Sequence, residues 1–414
     1  MNEFTFFTLN DFTKDSGGTI RMLGIVNALA NHGCKVILIS NVKTQTYFHS
    51  SIKHININRH FSKKDKRTFQ LLLSLFPSIS NRLIFKKYIV LMKRVFKENN
   101  LVTDNIVFFE HLDNSMGYFL KESGVIDSYI NDTHGIAPLE FNLKRSKNIR
   151  DYFINKIKYL VAKKLDKKVF CSAIGIYFVS EAMKNYFVDQ YKCLAEECTY
   201  VVRDGVNRYL CETKIDQKTV DSINVKYNIK KDDKIALFAG NFKDLGGVTD
   251  LVKAVEIVIN QRKVDNFKVL LVGDGECFDE VKYYISKMQL TDKIFLVRRV
   301  KYANLKNYFE VTDMVICPDK QHLFSELVPH VKYFDALVSG KVVLNGSFKA
   351  IKEMNRDEQL SIDFTPSNIV DLADKIEQTL QNLNSLKLKY EDTSKLVCDK
   401  YSYDNSVTVL INDK

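Results

Sequence analysis

Residues 318–344 read PDKQHLFSELVPHVKYFDALVSGKVVL, and the order of elements in this stretch decides the fold. It opens at the end of an apolar run, passes through a polar loop into a short helix, stops at Gly340 and re-enters an apolar run. That is strand, loop, helix and strand, the repeating unit of a parallel α/β sheet. A loop that leaves the carboxyl end of such a strand lies on the ligand face. The following helix turns its N-terminal amides, with their partial positive charge, toward whatever binds there. An anionic ligand is therefore expected at this turn, with Glu326 and Asp335 disposed around it.

The same unit recurs upstream and downstream. Residues 4–8 are apolar and lead through a polar loop to Gly17 and Gly18. Apolar residues then recur at helical spacing from Met22 to Leu29, Gly33 stops the helix, and residues 35–40 form a buried strand. A double glycine lets backbone approach a ligand closely; it equally suits an ordinary strand-to-helix turn. Further strands are read at residues 105–109, 128–132, 175–179 and 199–202. The second of these ends at Thr133, His134 and Gly135, so His134 sits at a strand's carboxyl end, as a structural residue or a substrate contact. Residues 213–233 are polar and read as an interdomain passage. A second series begins with the strand at 234–240 and its loop of Asn241, Lys243, Gly246 and Gly247. Strands at 268–272, 294–297 and 314–317 follow, with a helix around 305–309. The expected architecture is two Rossmann-like α/β domains whose ligand loops face each other across a cleft. Their bounds are 1–210 and 211–395, with a terminal helical segment, 396–414, returning to the first domain.

Composition narrows the function classes. The chain has 414 residues and 45% hydrophobic content, enough for two buried cores. No run of about 18 apolar residues occurs, so no spanning helix is expected. The first residues carry Glu3 where a secretory leader is positive, which gives a cytoplasmic expectation. The eight cysteines are scattered without a Cys-x-x-Cys pair and are read as reduced thiols. A net charge of +11 and a pI near 9.0 favour an anionic partner: nucleic acid, phospholipid or a phosphorylated substrate. The basic residues follow no nucleic-acid-binding motif, which disfavours that class. A basic helix over 82–97 suits an anionic membrane surface or a solvated cover for the sheet. A second basic stretch runs from 144 to 168.

The ordered set of segments resembles the GT-B glycosyltransferases, close to glycosyltransferase family 4. The resemblance rests on Gly17 and Gly18, on Val179, Ser180 and Glu181 after a strand, and on the turn Asp204, Gly205, Val206 and Asn207. In the second half it rests on LFAGNFKDLGGVTDLVKAV, LLVGDGE, LKNYFEVTDMVICP and PHVKYFDALVSGKVV. It implies a retaining transferase that moves a sugar from a nucleotide diphosphate, UDP- or GDP-linked, without a metal or other cofactor. The implied acceptor is lipid-linked or a polysaccharide in cell-surface glycan synthesis, met at the inner membrane surface. It further implies that Gly17, Gly18, Gly240, Asn241, Lys243, Gly246, Gly247, Leu327 and Val328 meet the donor diphosphate and sugar. Arg298, Arg299 and Asp335 would meet the nucleoside, Asp335 standing where the family has a glutamate. His134 and Glu326 are the expected catalytic pair, with Lys332 just before Asp335.

Three departures accompany the resemblance. Counting back by the family's acid spacing from Asp335 gives Leu327, with Glu326 one residue earlier. The phosphate-binding arginine and lysine of the family fall on Asn241 and Gly246, leaving Lys243 to reach the phosphates. Arg298 replaces a usual glycine. An alternative function is therefore a catalytically weak GT-B module that binds glycan or a partner glycosyltransferase. An epimerase on the same fold needs a carboxylate and histidine set that is not evident here.

Overall fold

The computed structural model describes residues 2–10, 17–41, 48–58, 61–75, 85–143, 146, 148–206, 212–356 and 358–412. Asn207, Cys211 and parts of both basic stretches, Arg82, Lys144, Arg145 and Lys147 among them, lie outside the described residues. The chain forms two units, 1–203 with 406–414, and 204–405.

In the first unit the strands are β1 (Glu3–Thr8), β2 (Lys35–Ser40), β3 (Lys53–Asn56), β4 (Ile106–Phe109), β5 (Tyr129–Thr133), β6 (Gly175–Phe178) and β7 (Thr199–Val201). They pair in parallel in the order β3-β2-β1-β4-β5-β6-β7. β1 and β4 are buried along almost their whole length, as strands covered by helices on both faces must be. Order reverses between β1 and β4, so their carboxyl ends open the crevice where ligands bind in such sheets. The helix Gly17–Asn31 leads from β1 toward β2 and ends in a glycine cap. Gly33 is left-handed at φ 76°, and the Cys34 N–H returns to the Leu29 carbonyl at 3.0 Å.

The second unit contains β8 (Lys234–Ala239), β9 (Phe267–Val272), β10 (Ile294–Val297), β11 (Met314–Cys317), β12 (Val342–Gly346) and β13 (Ile362–Phe364). They are again parallel, in the order β10-β9-β8-β11-β12-β13. One core, with Val252, Val255 and Phe267, fills one face of this sheet. Another, with Phe334, Leu337 and Val397, fills the opposite face. The reversal between β8 and β11 places the loops after those two strands side by side.

The division between units falls at 203/204 and 405/406, rather than at 210/211 and 395/396. Val206 explains the shift. Its N–H donates to the Tyr401 carbonyl at 2.8 Å, and its side chain joins the core of the second sheet. Residues 396–405 stay with that core: Val397 is buried in it, and the neighbouring Ser394 hydroxyl donates to the Val338 carbonyl at 2.7 Å. Only the last few residues return to the first unit, where the Asn2 amide donates to the Ile411 carbonyl at 3.3 Å.

Two local readings are corrected. The passage at 213–233 contains a helix, Gln217–Lys226, whose N-cap Asp216 side chain accepts from the Lys218 N–H. Cys171 and Cys193 form a disulfide, with Cα atoms 5.6 Å apart, and Cys398 is also disulfide-bonded. The reduced-thiol reading fails because their 22-residue separation spans a strand and a helix that return the chain to its starting point. Among the described residues no helix is long and apolar enough to cross a membrane.

Candidate functional site

At the carboxyl ends of β4 and β5 in the first unit, the chain gathers charged groups that local propensity would never bury. Arg21 lies on the helix Gly17–Asn31 and is 1% exposed. It grips Asp132 with two prongs, Nε to Oδ2 at 3.0 Å and Nη2 to Oδ1 at 2.6 Å. The same Oδ2 lies 3.0 Å from His134 Nδ1. A proton on Nδ1 is thereby directed to the carboxylate, which fixes the ring and turns Nε2 the other way. Nε2 meets Gly18: a Cβ there would lie 2.8 Å from it, and 3.7 Å from Glu110 Oε2. Any larger residue at 18 would displace the imidazole. Of the sequence-predicted residues in this unit, Gly18 and His134 are brought together, and Gly17 begins the same helix.

The electrostatics follow from this packing. Burial alone would raise the Asp132 pKa, but the Arg21 charge and hydrogen bonds from His134 and Arg21 hold it below the ordinary carboxylate value. Burial opposes a charged His134; the bond and charge of Asp132, with Glu110, nevertheless hold the ring above its usual value. Glu110 adopts a left-handed φ of 56° directly after β4. Such strain in a non-glycine residue persists only where surrounding structure enforces it. Beside it Asp113 is fully buried and accepts from the Leu9 N–H at 3.1 Å, while its Oδ2 has no hydrogen-bond partner among the described residues. Burial, then the Glu110 charge, push its carboxyl up to about 8. Arg21, Glu110, Asp113 and Asp132 were not singled out from the sequence. The Asp-x-His spacing at 132–134 was the signal available for one of them.

In the second unit three glycines press the ligand-face loops together. Gly247, at φ 66°, would place a Cβ 1.6 Å from the Pro318 carbonyl oxygen. Gly273 would place one 1.9 Å from the Gly240 oxygen, and Gly275 one 2.5 Å from Asn241 Oδ1. The loops after β8, β9 and β11 thus touch through backbone, and backbone bonds such as Lys320 N–H to the Leu245 carbonyl (2.9 Å) join them. Gly246 is buried inside the short 3-10 turn Asp244–Gly246, while Asn241 and Lys243 are exposed at the loop's surface.

Above these loops stands the helix Val331–Val338. Lys332 lays its stem beside Gly240, and its Nζ sits over the Phe238 ring and reaches Asp319 Oδ1 at 2.7 Å. His330 Nε2 lies 3.5 Å from the same oxygen. Burial lowers the His330 pKa, and the charges of Lys332 and Lys243 add to the lowering against Asp319 and Asp204. Lys332 and His330 therefore both face one buried carboxylate at a helix N-terminus, an arrangement that can receive a polyanion.

Asp335 lies one turn into that helix, 7% exposed, and its Oδ1 accepts from the Tyr302 hydroxyl at 2.5 Å. Burial pushes its carboxyl up to about 7. Tyr302 follows the loop after β10 and so links that loop to the helix. On the loop, Arg298 stacks on Phe278 at 3.7 Å and bonds Asp274 Oδ2 at 2.8 Å; Arg299 also lowers the Asp274 pKa, after the Arg298 and Gly275 hydrogen bonds. Leu327 and Val328 are buried. Glu326 is spent elsewhere: Oε1 accepts from Gln321 Nε2 at 2.7 Å, and Oε2 from the Lys349 N–H at 2.8 Å, at the start of the helix Lys349–Asn355. Among the described residues no three His, Cys, Asp or Glu side chains gather as a metal group.

Two parallel α/β units, each with glycine-bound loops at the order reversal, make up the GT-B fold. Residues 219–395, within the second unit, match the family described as glycosyl transferases group 1. Among solved structures, the chain resembles a glycosyltransferase from Rickettsia africae ESF-5 at 18% identity and a TM-score of 0.69, covering 100% of this chain and 98% of that one. It also resembles sucrose-phosphate synthase from Thermosynechococcus elongatus at 13% identity and a TM-score of 0.70, with coverage of 100% and 98%. HepE from Anabaena, solved in complex with UDP and glucose, aligns at 12% identity and a TM-score of 0.69, with coverage of 100% and 99%. These likenesses establish the fold. No curated protein matches the chain in sequence.

Proposed function

We propose that the chain is a retaining transferase that takes a hexose from a nucleotide diphosphate, UDP- or GDP-linked, without a metal. Its proposed acceptor is a lipid-linked or polysaccharide glycan of the cell surface, met at the cytoplasmic face of a membrane. The observation that carries this reading is the pair Lys332 and His330 on Asp319 at the start of the helix Val331–Val338. When the sugar–phosphate bond breaks, negative charge grows on the departing phosphate, and the Lys332 ammonium with the helix amides would stabilise it there. The HepE complex with UDP and glucose supports a uridine donor. In the first unit His134, held by Asp132, would present Nε2 to the transferred sugar. Asp335 would accept from both ribose hydroxyls, as a carboxylate can.

The reading is tested by nucleoside diphosphate release from a panel of nucleotide sugars. One donor is expected to turn over, and Lys332→Met is expected to weaken nucleoside diphosphate binding about ten-fold or more, the loss of a charged hydrogen bond. Absence of both turnover and binding across the panel would overturn it. The second reading, a binding module that transfers no sugar, draws on the buried Leu327 and the engaged Glu326. It predicts nucleotide binding without release of product from any donor, and co-purification with an active transferase.

A further inference from the structure

The helix Ile149–Ser172 is 24 residues long and has two unlike faces. Its inner face is ordinary: Ala162, Leu165, Val169 and Phe170 are buried. Its outer face is not. Ile149, Tyr152, Phe153, Ile157 and Leu160 are between 49% and 76% exposed. Their spacing places all five on one side of a 3.6-residue helix. A surface helix that serves only as a cover has no reason to carry this stripe, since each side chain leaves apolar area in water. Continuing along the same side come Lys163, Lys164 and Lys167, with Lys168 at its margin and Lys156 inside the stripe, all exposed. The acids do not share the face. Asp166 turns inward, where it accepts from the Tyr191 hydroxyl at 3.1 Å and lies 3.5 Å from His111 Nδ1.

We propose that this face seats the first unit on an anionic phospholipid bilayer, the three apolar turns entering the headgroup boundary and the lysine turns lying against lipid phosphates. The charge pattern selects this occupant. An aromatic and aliphatic stripe continuous with clustered lysines, on a chain of net charge +11, matches an apolar surface rimmed by negative charge. The helix is held ready at both ends: Asn148 accepts from the Asp151 N–H at 2.9 Å, and Cys171 is disulfide-bonded to Cys193. The inference deepens the proposed meeting with a membrane-borne acceptor and rests on that reading for its purpose, while the binding itself is measured without any sugar transfer.

The test is co-sedimentation of the full chain with phosphatidylcholine vesicles, with and without phosphatidylglycerol. Partition to the anionic vesicles alone, reversed by salt, is expected. Each lysine near such a surface contributes about five-fold, so Lys163→Gln with Lys164→Gln should lower partition roughly twenty-five-fold. Phe153→Ser with Leu160→Ser should lower it by about a hundred-fold, from the transfer of two large apolar side chains. All four positions face solvent, so the variants fold, and nucleotide binding in vesicle-free buffer should be unchanged. Equal partition to both vesicle types, or indifference to these substitutions, overturns the proposal. So does a wild-type dimer that Phe153→Ser with Leu160→Ser converts to monomer, which would give the stripe to a second copy. Loss of sugar transfer with vesicle binding intact would instead count against the transferase reading alone.

Discussion

Replacing Asp335 with Asn should stabilise the second unit and weaken the site at once. The carboxyl is buried, and its pKa stands at about 7 against an ordinary value of 3.8. Because the folded value lies above the unfolded one, the folded chain holds this proton more tightly. The stabilisation is complete below the unfolded value and is lost as pH rises through about 7. The difference corresponds to about 4 kcal/mol that the ionised group withdraws at alkaline pH. Asn keeps the side chain's shape and an oxygen for the Tyr302 hydroxyl, but carries no charge to bury. Between pH 5 and 8 the wild type should therefore lose stability that Asp335→Asn does not lose. At pH 8 the variant's second unit should melt about 10 °C higher, the shift expected for a unit of this size. Differential scanning calorimetry at the two pH values reads this directly. In parallel, calorimetric titration should show nucleoside diphosphate bound about ten-fold more weakly, since an amide cannot accept as a carboxylate does. Parallel pH profiles for the two proteins would refute the burial argument. Unchanged nucleotide affinity would refute the assignment of Asp335 to the ribose.

Other substitutions separate roles in the same way. Gly247→Ala should unfold the ligand loops, because a methyl at 1.6 Å from the Pro318 oxygen forces β8 and β11 loops apart; Gly33→Ala, also left-handed but with nothing within 4 Å, should cost only about 1–2 kcal/mol by thermal melting. Arg21→Met leaves Asp132 charged in the interior and should cost the first unit about 3–5 kcal/mol in urea denaturation. Glu326→Ala should lower the second unit's stability by about 1 kcal/mol through the lost bond to the Lys349 N–H, with nucleotide affinity unchanged in titration.

Central strands were legible because a strand covered on both sides must be almost wholly apolar; residues 35–40 and 314–317 have the bounds read for them. Edge strands feel less of that pressure, though the apolar β10 was still read with its bounds. β3, with the sequence KHIN and two exposed residues, and the three-residue β13 pass for loop. In the site, glycines carried the readable information: Gly18 and Gly247 each stand where a Cβ has no room. The Arg21–Asp132 pair was not readable, since 111 residues separate its members and only the folded sheet joins them. Tyr302 was silent for the same reason: nothing local marks a tyrosine as the partner of an aspartate in a different element. Glu326 had a partner that the sequence does not mark either. Its position in the chain suited a reacting carboxylate, yet the start of a neighbouring helix holds it.

The first unit is assembled from two separated pieces of chain, with the whole of the second unit synthesised between them. During translation, residues 1–203 leave the ribosome first but must wait for residues 406–414. The second unit, 204–405, is continuous and has every residue it needs earlier than its predecessor does. Translation order and completion order are therefore reversed. A fusion or cut placed after residue 405 would be felt by the unit that began emerging first, where the Asn2 amide holds the Ile411 carbonyl.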